Sequence, residues 1–101
     1  MRCITITYRY SGDETLWRET VDAFIAAIEG DPAVSGKFTY QVATADDGET
    51  RIHWGRWDSA ETLQALQSQP YFKAFAQAVK GFAGGAPSAT GADVAVKSTG
   101  W

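Results

Sequence analysis

The sequence predicts an α+β fold of the ferredoxin-like kind: element order β-α-β-β-α-β, with a four-stranded antiparallel sheet and helices on one face. Three observations lead to this prediction. Several short segments alternate between apolar and polar residues, longer segments carry apolar residues at helical spacing, and the two kinds follow one another in that order. The length of 101 residues corresponds to one domain, 1–101.

The first strand and the first helix are predicted from their different periodicities. Residues 3–10 alternate, and one face of the strand carries Ile4, Ile6, Tyr8 and Tyr10. Ser11 with Glu14 has the spacing of a capping box, and Asp13 is a second candidate for the N-cap. The helix that follows is predicted from a stripe of Trp17, Val21, Phe24, Ile25 and Ile28, and it ends at residues 30–32, Gly-Asp-Pro.

The second and third strands are predicted to form a hairpin around the turn at residues 46–48. In the second strand, Phe38, Tyr40 and Val42 share one face. In the third strand, the alternation is assigned so that Ile52, Trp54 and Arg56 face the helices. Arg51 and His53 are therefore expected on the opposite face.

A second helical region and a last strand complete the predicted fold. Asp58 or Ser59 caps the helix, and Pro70 fits the first turn of a second helical piece. Residues 83–91 are predicted to be a flexible loop. The last strand is then expected at residues 93–97.

The sheet face away from the helices is expected to pack against a second copy of the chain. It is predicted to carry Thr5, Thr7, Arg9, Thr39, Gln41, Arg51, His53 and Ala95. A solvated sheet face usually carries more Lys and Glu, so this composition favours a homodimer. Trp101 is a further candidate for contact with a partner protomer.

Composition excludes several functional classes. The net charge is −3 and Lys and Arg are not clustered, which argues against binding to nucleic acid or to anionic membranes. No apolar run approaches the ~20 residues of a membrane span. The single cysteine, Cys3, cannot form an internal disulfide, so a cytoplasmic location is expected. With one histidine and no ligand-spaced cluster, no metal site is predicted.

The segment from Trp54 to Phe75 carries a family resemblance. Residues 54–61, WGRWDSAE, followed by residues 68–75, SQPYFKAF, resemble the antibiotic biosynthesis monooxygenase domain of the dimeric α+β barrel superfamily. Shared features are an aromatic at the end of strand three, here Trp57, a polar cap, a helix broken before Pro70 and an aromatic stripe. The resemblance implies a homodimeric barrel with a ligand pocket between sheet and helices in each protomer. It also implies oxidation of aromatic or quinol-type substrates by O₂ without metal or flavin.

The chain departs from the family pattern at positions that handle protons. Gly55 stands where many members have an acidic residue, and Leu66 and Tyr71 stand where many have histidine. In the haem-degrading branch, a Trp and a His fall on Leu66 and Ala76, so that route is not expected here. Two functions therefore remain open: a cofactor-independent monooxygenase-like protein, or a non-catalytic dimeric domain that binds a small molecule.

The candidate site is an aromatic pocket, with no catalytic residue assigned and no cofactor expected. A planar aromatic ligand is the expected occupant, since aromatic walls with a few polar tips suit such molecules. Arg56 is a candidate to orient a phenolate or carboxylate, or else forms a surface ion pair. His53 is a candidate for proton transfer, or else forms a structural hydrogen bond in the sheet or at the dimer contact. The pocket candidates are Tyr8, Tyr40, Trp54, Arg56, Trp57, Leu66, Tyr71 and Phe75.

Overall fold

The computed structural model describes residues 1–100, and Trp101 lies outside the described residues. Within them, the strands are β1 (Arg2–Arg9), β2 (Phe38–Thr44), β3 (Thr50–Trp57) and β4 (Ser88–Asp93). The helices are α1 (Glu14–Gly30), α2 (Ala60–Gln67) and α3 (Pro70–Ala83). This order confirms the predicted ferredoxin-like α+β fold, including the helical break before Pro70.

The four strands form one antiparallel sheet in the order β2-β3-β1-β4. The central strands β1 and β3 pair along their whole length, from Arg2 opposite Trp57 to Arg9 opposite Thr50. The helices cover the sheet face that carries Tyr8, Phe38 and Trp57, all of them buried. The main core and the candidate site both lie between that face and the helices.

The predicted orientation of β3 is wrong by one residue. Burial along this strand alternates so that Arg51, His53, Gly55 and Trp57 face the helices, whereas Ile52, Trp54 and Arg56 face away. Arg51 and His53 are 1% and 0% exposed. Both faces of β3 carry bulky side chains, so alternation alone did not distinguish them. The only histidine of the chain therefore lies inside the core.

The last strand also differs from its prediction. β4 is Ser88–Asp93 rather than residues 93–97, so its first part lies in the segment predicted as a loop. It pairs with Arg2–Thr7 of β1, although all six of its residues are exposed. Val96, expected in the strand, is 90% exposed beyond it. Backbone pairing, rather than apolar burial, thus defines β4, and a period-two pattern cannot detect such a strand.

Local capping explains where the helices begin. The Asp13 carboxylate accepts a hydrogen bond from the Leu16 N–H, so Asp13 is the N-cap of α1. The Ser59 hydroxyl accepts from the Thr62 N–H and caps α2. The two open choices of cap are therefore settled as Asp13 and Ser59. No helix within residues 1–100 is long and apolar enough to cross a membrane.

Candidate functional site

A cavity of about 280 Å³ lies between the sheet and the helices. Its walls are almost entirely apolar, and aromatic rings dominate them. The titratable side chains among its lining residues are Tyr40 and Lys80. Such a cavity suits a small, flat, mainly apolar molecule. The lining residues are Ile4, Ile6, Phe24, Phe38, Tyr40, Trp57, Leu63, Leu66, Gln67, Phe72, Phe75, Ala76, Val79, Lys80 and Pro87.

Packed aromatic rings fix the cavity wall. Phe24 of α1 and Phe75 of α3 stack with ring centroids 4.0 Å apart and planes 6° from parallel. Tyr40 of β2 meets both rings edge-on, at 5.1 and 5.9 Å. These contacts join both helices to the sheet, so the position of the Tyr40 ring is set from two sides.

Next to the cavity, Trp17, Tyr8, His53 and Tyr40 form a hydrogen-bonded chain, here called the Tyr-His-Tyr network. The hydroxyl oxygens of Tyr8 and Tyr40 each lie 2.8 Å from a ring nitrogen of His53, Nε2 and Nδ1 respectively. The Trp17 indole N–H donates to the Tyr8 hydroxyl oxygen at 2.9 Å. Both nitrogens of the buried imidazole are thereby paired, which removes the cost of burying them.

Burial sets the protonation state of this network. It lowers the pKa of His53 to about 4, so the imidazole is neutral at neutral pH. Burial also raises the pKa of Tyr40 and of Tyr8 above the usual tyrosine value, so both remain protonated phenols. A neutral imidazole both donates and accepts, and therefore links the two phenols as a neutral hydrogen-bonding chain.

Arg51 supports the network from one end. Its guanidinium carbon lies 4.3 Å from the Trp17 ring centroid, and it forms an ion pair with Glu14. It also donates to backbone oxygens of Tyr10, Gly48 and Glu49. The hydrogen bonds with Glu14 raise the pKa of Arg51, which is permanently charged. Trp17 is therefore held between a fixed cation and the Tyr8 hydroxyl.

The structure brings half of the pocket candidates together around the cavity. Tyr40, Trp57, Leu66 and Phe75 all line it. Tyr8 is not among the lining residues, and reaches the cavity only through His53 and Tyr40.

The other three candidates lie elsewhere. Tyr71 donates to the Asp31 carboxylate at 2.7 Å and borders a separate groove between α1 and α3. Trp54 and Arg56 lie on the other side of the sheet, beside a recess that also involves Val94. Their expected place toward the helices is thus wrong, for the same reason as the orientation of β3.

His53 and Arg51 were predicted on the opposite face of the sheet and therefore not as neighbours of the site. A signal for both was present in β3. Trp57 was already a pocket candidate, and counting back from it by two gives Gly55, His53 and Arg51 on the same face. Trp17, near the start of α1, was expected to line either the pocket or the dimer contact, and it lies beside the site through its hydrogen bond to Tyr8.

The described part of the chain contains no group of side chains that could bind a metal ion. No three His, Cys, Asp or Glu side chains within residues 1–100 are grouped so that they could hold an ion.

Comparison with solved structures identifies the same fold in several proteins. The protein Rv0793 from Mycobacterium tuberculosis superposes with a TM-score of 0.78 at 14% identity, covering 97% of this chain and 98% of that one. A solved antibiotic biosynthesis monooxygenase superposes at 0.75 with 7% identity, covering 95% and 100%. SnoaB, a cofactor-independent oxygenase from Streptomyces nogalater, superposes at 0.68 with 12% identity, covering 97% and 95%.

Comparison by sequence, in contrast, gives no match. No family model matches the chain, and no curated protein matches it. Identities this low show a shared fold and leave the activity open. The chain thus has the fold of the solved antibiotic biosynthesis monooxygenases, over nearly its whole length.

Proposed function

We propose that this protein is a cofactor-independent monooxygenase-like enzyme for an aromatic or quinol-type small molecule bound in the cavity. The observation that carries the proposal is the position of Tyr40, which lines the apolar cavity and is hydrogen-bonded to the buried His53. A polar tip on an aromatic wall is what such a ligand needs for orientation. The likeness to SnoaB and to the solved monooxygenase supports this proposal at the level of the fold.

The chemistry proposed for the site requires electrons from the substrate itself. In an anthrone, the reacting CH₂ becomes a carbonyl, one atom of O₂ enters the product, and the other leaves as water. A proton first passes from the reacting carbon to a base in the solvent, since no lining residue is a general base, and this places negative charge on the ring oxygen. The Tyr40 hydroxyl, held by the neutral His53, would stabilise that charge by donating a hydrogen bond within a dry cavity.

Oxygen consumption tests this function directly. The wild-type protein would be mixed with a panel of anthrones and hydroquinones, and compared with a heat-inactivated sample. Uptake above that control is expected for at least one compound. Tyr40→Phe should lower kcat/KM by about 100-fold, the usual order for loss of one oxyanion donor. Absence of uptake across the whole panel would overturn the proposal.

A non-catalytic domain that binds a small molecule is the second candidate function. Its support is the lack of a general base among the lining residues: no carboxylate or imidazole of residues 1–100 is among them, and burial raises the pKa of Tyr40, which stays a protonated phenol. In this case, the same aromatic compounds would bind without oxygen uptake. Equilibrium titration beside the uptake assay separates the two functions.

The proposed assembly is a homodimer through the sheet face away from the helices, here called the open face. This face carries Ile52, Trp54 and Arg56 of β3, together with Thr5 and Thr7 of β1. Ile52 and Trp54 are half-buried at the centre of the sheet, on the face that α1, α2 and α3 do not cover. Apolar side chains at the centre of such a face favour a second protein layer. A cytoplasmic location remains a prediction.

A further inference from the structure

The Tyr-His-Tyr network holds one more polar hydrogen than its hydrogen bonds use. Its four side chains carry the indole N–H, two phenol O–H groups and, on a neutral imidazole, one N–H. The bonds between them number three: Trp17 to Tyr8, Tyr8 with His53, and His53 with Tyr40. One phenol hydrogen is therefore left over. Which phenol holds it depends on which nitrogen of His53 is protonated.

The first arrangement places the imidazole hydrogen on Nε2. His53 then donates to Tyr8, and Tyr40 donates to Nδ1. The Tyr8 oxygen would accept from both Trp17 and His53, and its own hydrogen would be left over. Tyr8 is only 6% exposed, and its partners within residues 1–100 are these two groups. A buried hydroxyl hydrogen without an acceptor destabilises this arrangement.

The second arrangement places the hydrogen on Nδ1 and pairs every buried hydrogen. Trp17 donates to Tyr8, Tyr8 donates to Nε2, and Nδ1 donates to the Tyr40 oxygen. The hydrogen left over now belongs to Tyr40, the member of the network that lines the cavity. A ligand in the cavity can accept a hydrogen bond from the Tyr40 hydroxyl. It cannot accept one from Tyr8, which does not line the cavity.

We infer that His53 carries its hydrogen on Nδ1 and that Tyr40 donates its hydroxyl hydrogen to an oxygen of the molecule in the cavity. The ligand is thus a planar, mainly apolar molecule with an acceptor oxygen, a ring carbonyl or a phenolate. This inference rests on the proposed function in one respect, since it uses the same cavity. It goes further by assigning the direction of each hydrogen bond and the ligand group that is recognised.

The single histidine of the chain makes the first half of the inference measurable. In protein labelled with ¹⁵N-histidine, the spectrum contains one imidazole from the chain. At neutral pH, Nδ1 should show the shift of a protonated, pyrrole-type nitrogen and Nε2 that of a pyridine-type nitrogen. The reverse assignment in the wild-type protein would overturn the inference.

Two matched variants test the cause. Tyr40→Phe leaves Tyr8 as the donor to Nε2, so the Nε2 signal should be unchanged and the hydrogen should stay on Nδ1. Tyr8→Phe removes that donor and leaves Nδ1 bonded to the Tyr40 oxygen, so Nδ1 should stay protonated while the Nε2 signal moves downfield, as it does for a pyridine-type nitrogen that loses its hydrogen bond. If Tyr8→Phe folds and the Nε2 signal does not move, the inferred donation from Tyr8 to Nε2 is wrong.

Ligand binding tests the second half with 1-tetralone and tetralin, which share a ring system and differ in one acceptor oxygen. The wild-type protein should bind 1-tetralone about 3- to 10-fold more tightly, the value of one ordinary hydrogen bond. Tyr40→Phe should abolish the preference. Equal binding of both probes, or binding of neither, would overturn the assignment of the ligand group. An observed preference without oxygen uptake from any quinol would instead count against the proposed activity alone.

Discussion

Arg51 and Glu14 form a two-pronged ion pair that joins β3 to the first turn of α1, with N–O distances of 2.7 and 2.8 Å. The partners differ in environment: Arg51 is 1% exposed, whereas the Glu14 side chain is 62% exposed. The pair therefore connects a buried cation to solvent. Backbone oxygens complete the shell of the guanidinium, and the Trp17 ring covers its face.

Replacement of Arg51 should destabilise the protein more than replacement of Glu14. Arg51→Ala removes the packing on Trp17 and leaves backbone acceptors unpaired, so we expect a loss of about 3 kcal/mol in the free energy of unfolding. Glu14→Gln should have a smaller effect, because water can replace much of the contact. Urea denaturation of both variants measures this difference. Equal losses would show that the ion pair itself, rather than the buried arginine, dominates.

The stability of the protein should fall in mild acid because of His53. Its pKa is about 4 in the folded protein, below the ordinary value of 6.5. Between these pH values the unfolded chain binds a proton that the folded protein does not, so stability decreases as the pH falls from about 6.5 to 4. The expected contribution is about 3 kcal/mol between pH 7 and pH 4.

His53→Gln provides the matched control for this pH dependence. The carboxylates Glu14, Asp47 and Asp58, whose pKa values hydrogen bonds lower, are the same in both proteins and cancel in the comparison. Urea unfolding at pH 7 and pH 4 should therefore show a smaller loss for the variant. Identical losses in the two proteins would mean that His53 is not protected from protonation by burial.

Gly55 should be required for the position of the Tyr40 ring. A Cβ on residue 55 would lie 3.1 Å from Cδ1 of Tyr40 and 3.3 Å from Cγ2 of Ile4. Gly55→Ala should displace the ring, weaken its hydrogen bond to His53, and cost about 1–2 kcal/mol of stability. The ¹⁵N shift of Nδ1 and urea unfolding measure the two effects.

Gly81→Ala is the corresponding control, since a Cβ there meets nothing within 4 Å and the residue lies in α3. It should leave the His53 signals unchanged and slightly raise stability. If Gly55→Ala behaves in the same way, the tyrosine ring tolerates the methyl group and Gly55 has no positioning role.

The sequence predicted the fold because most elements carry a regular pattern. The stripe from Trp17 to Ile28 and the alternation in β1 each have one apolar face, so their orientation follows directly. The residues TRIHWGRW of β3 do not have one apolar face: Ile52 and Trp54 are as bulky as the side chains that the helices actually cover. The charge of Arg51 also favoured a wrong prediction, because a charged side chain is usually exposed. Arg51 is instead buried, and the hydrogen bonds that satisfy it are not encoded in any local sequence pattern.

The cavity was predicted in its general place but only in part of its membership. Trp57, Leu66 and Phe75 were suggested by resemblance, and their segment does lie on the cavity. The link between Tyr40 and Tyr8 depends on His53, which joins side chains 13 and 45 residues away in sequence. Such a link depends on which face of β3 carries His53. The predicted orientation of β3 was wrong by one residue, so the link was not predicted.

Trp54 should be essential for the proposed homodimer. It lies at the centre of the open face, opposite Thr5 on β1 and Gln41 on β2. Light scattering of the wild-type protein at micromolar concentration should give twice the 10.9 kDa chain mass. Trp54→Glu places a charge in the expected interface and should give the monomer mass, because a buried unpaired carboxylate opposes association. Leu16→Glu is the control, since Leu16 is 52% exposed on α1 and its variant should remain dimeric. A monomeric wild-type protein, or a Trp54→Glu variant that stays dimeric, would refute dimerisation through the open face.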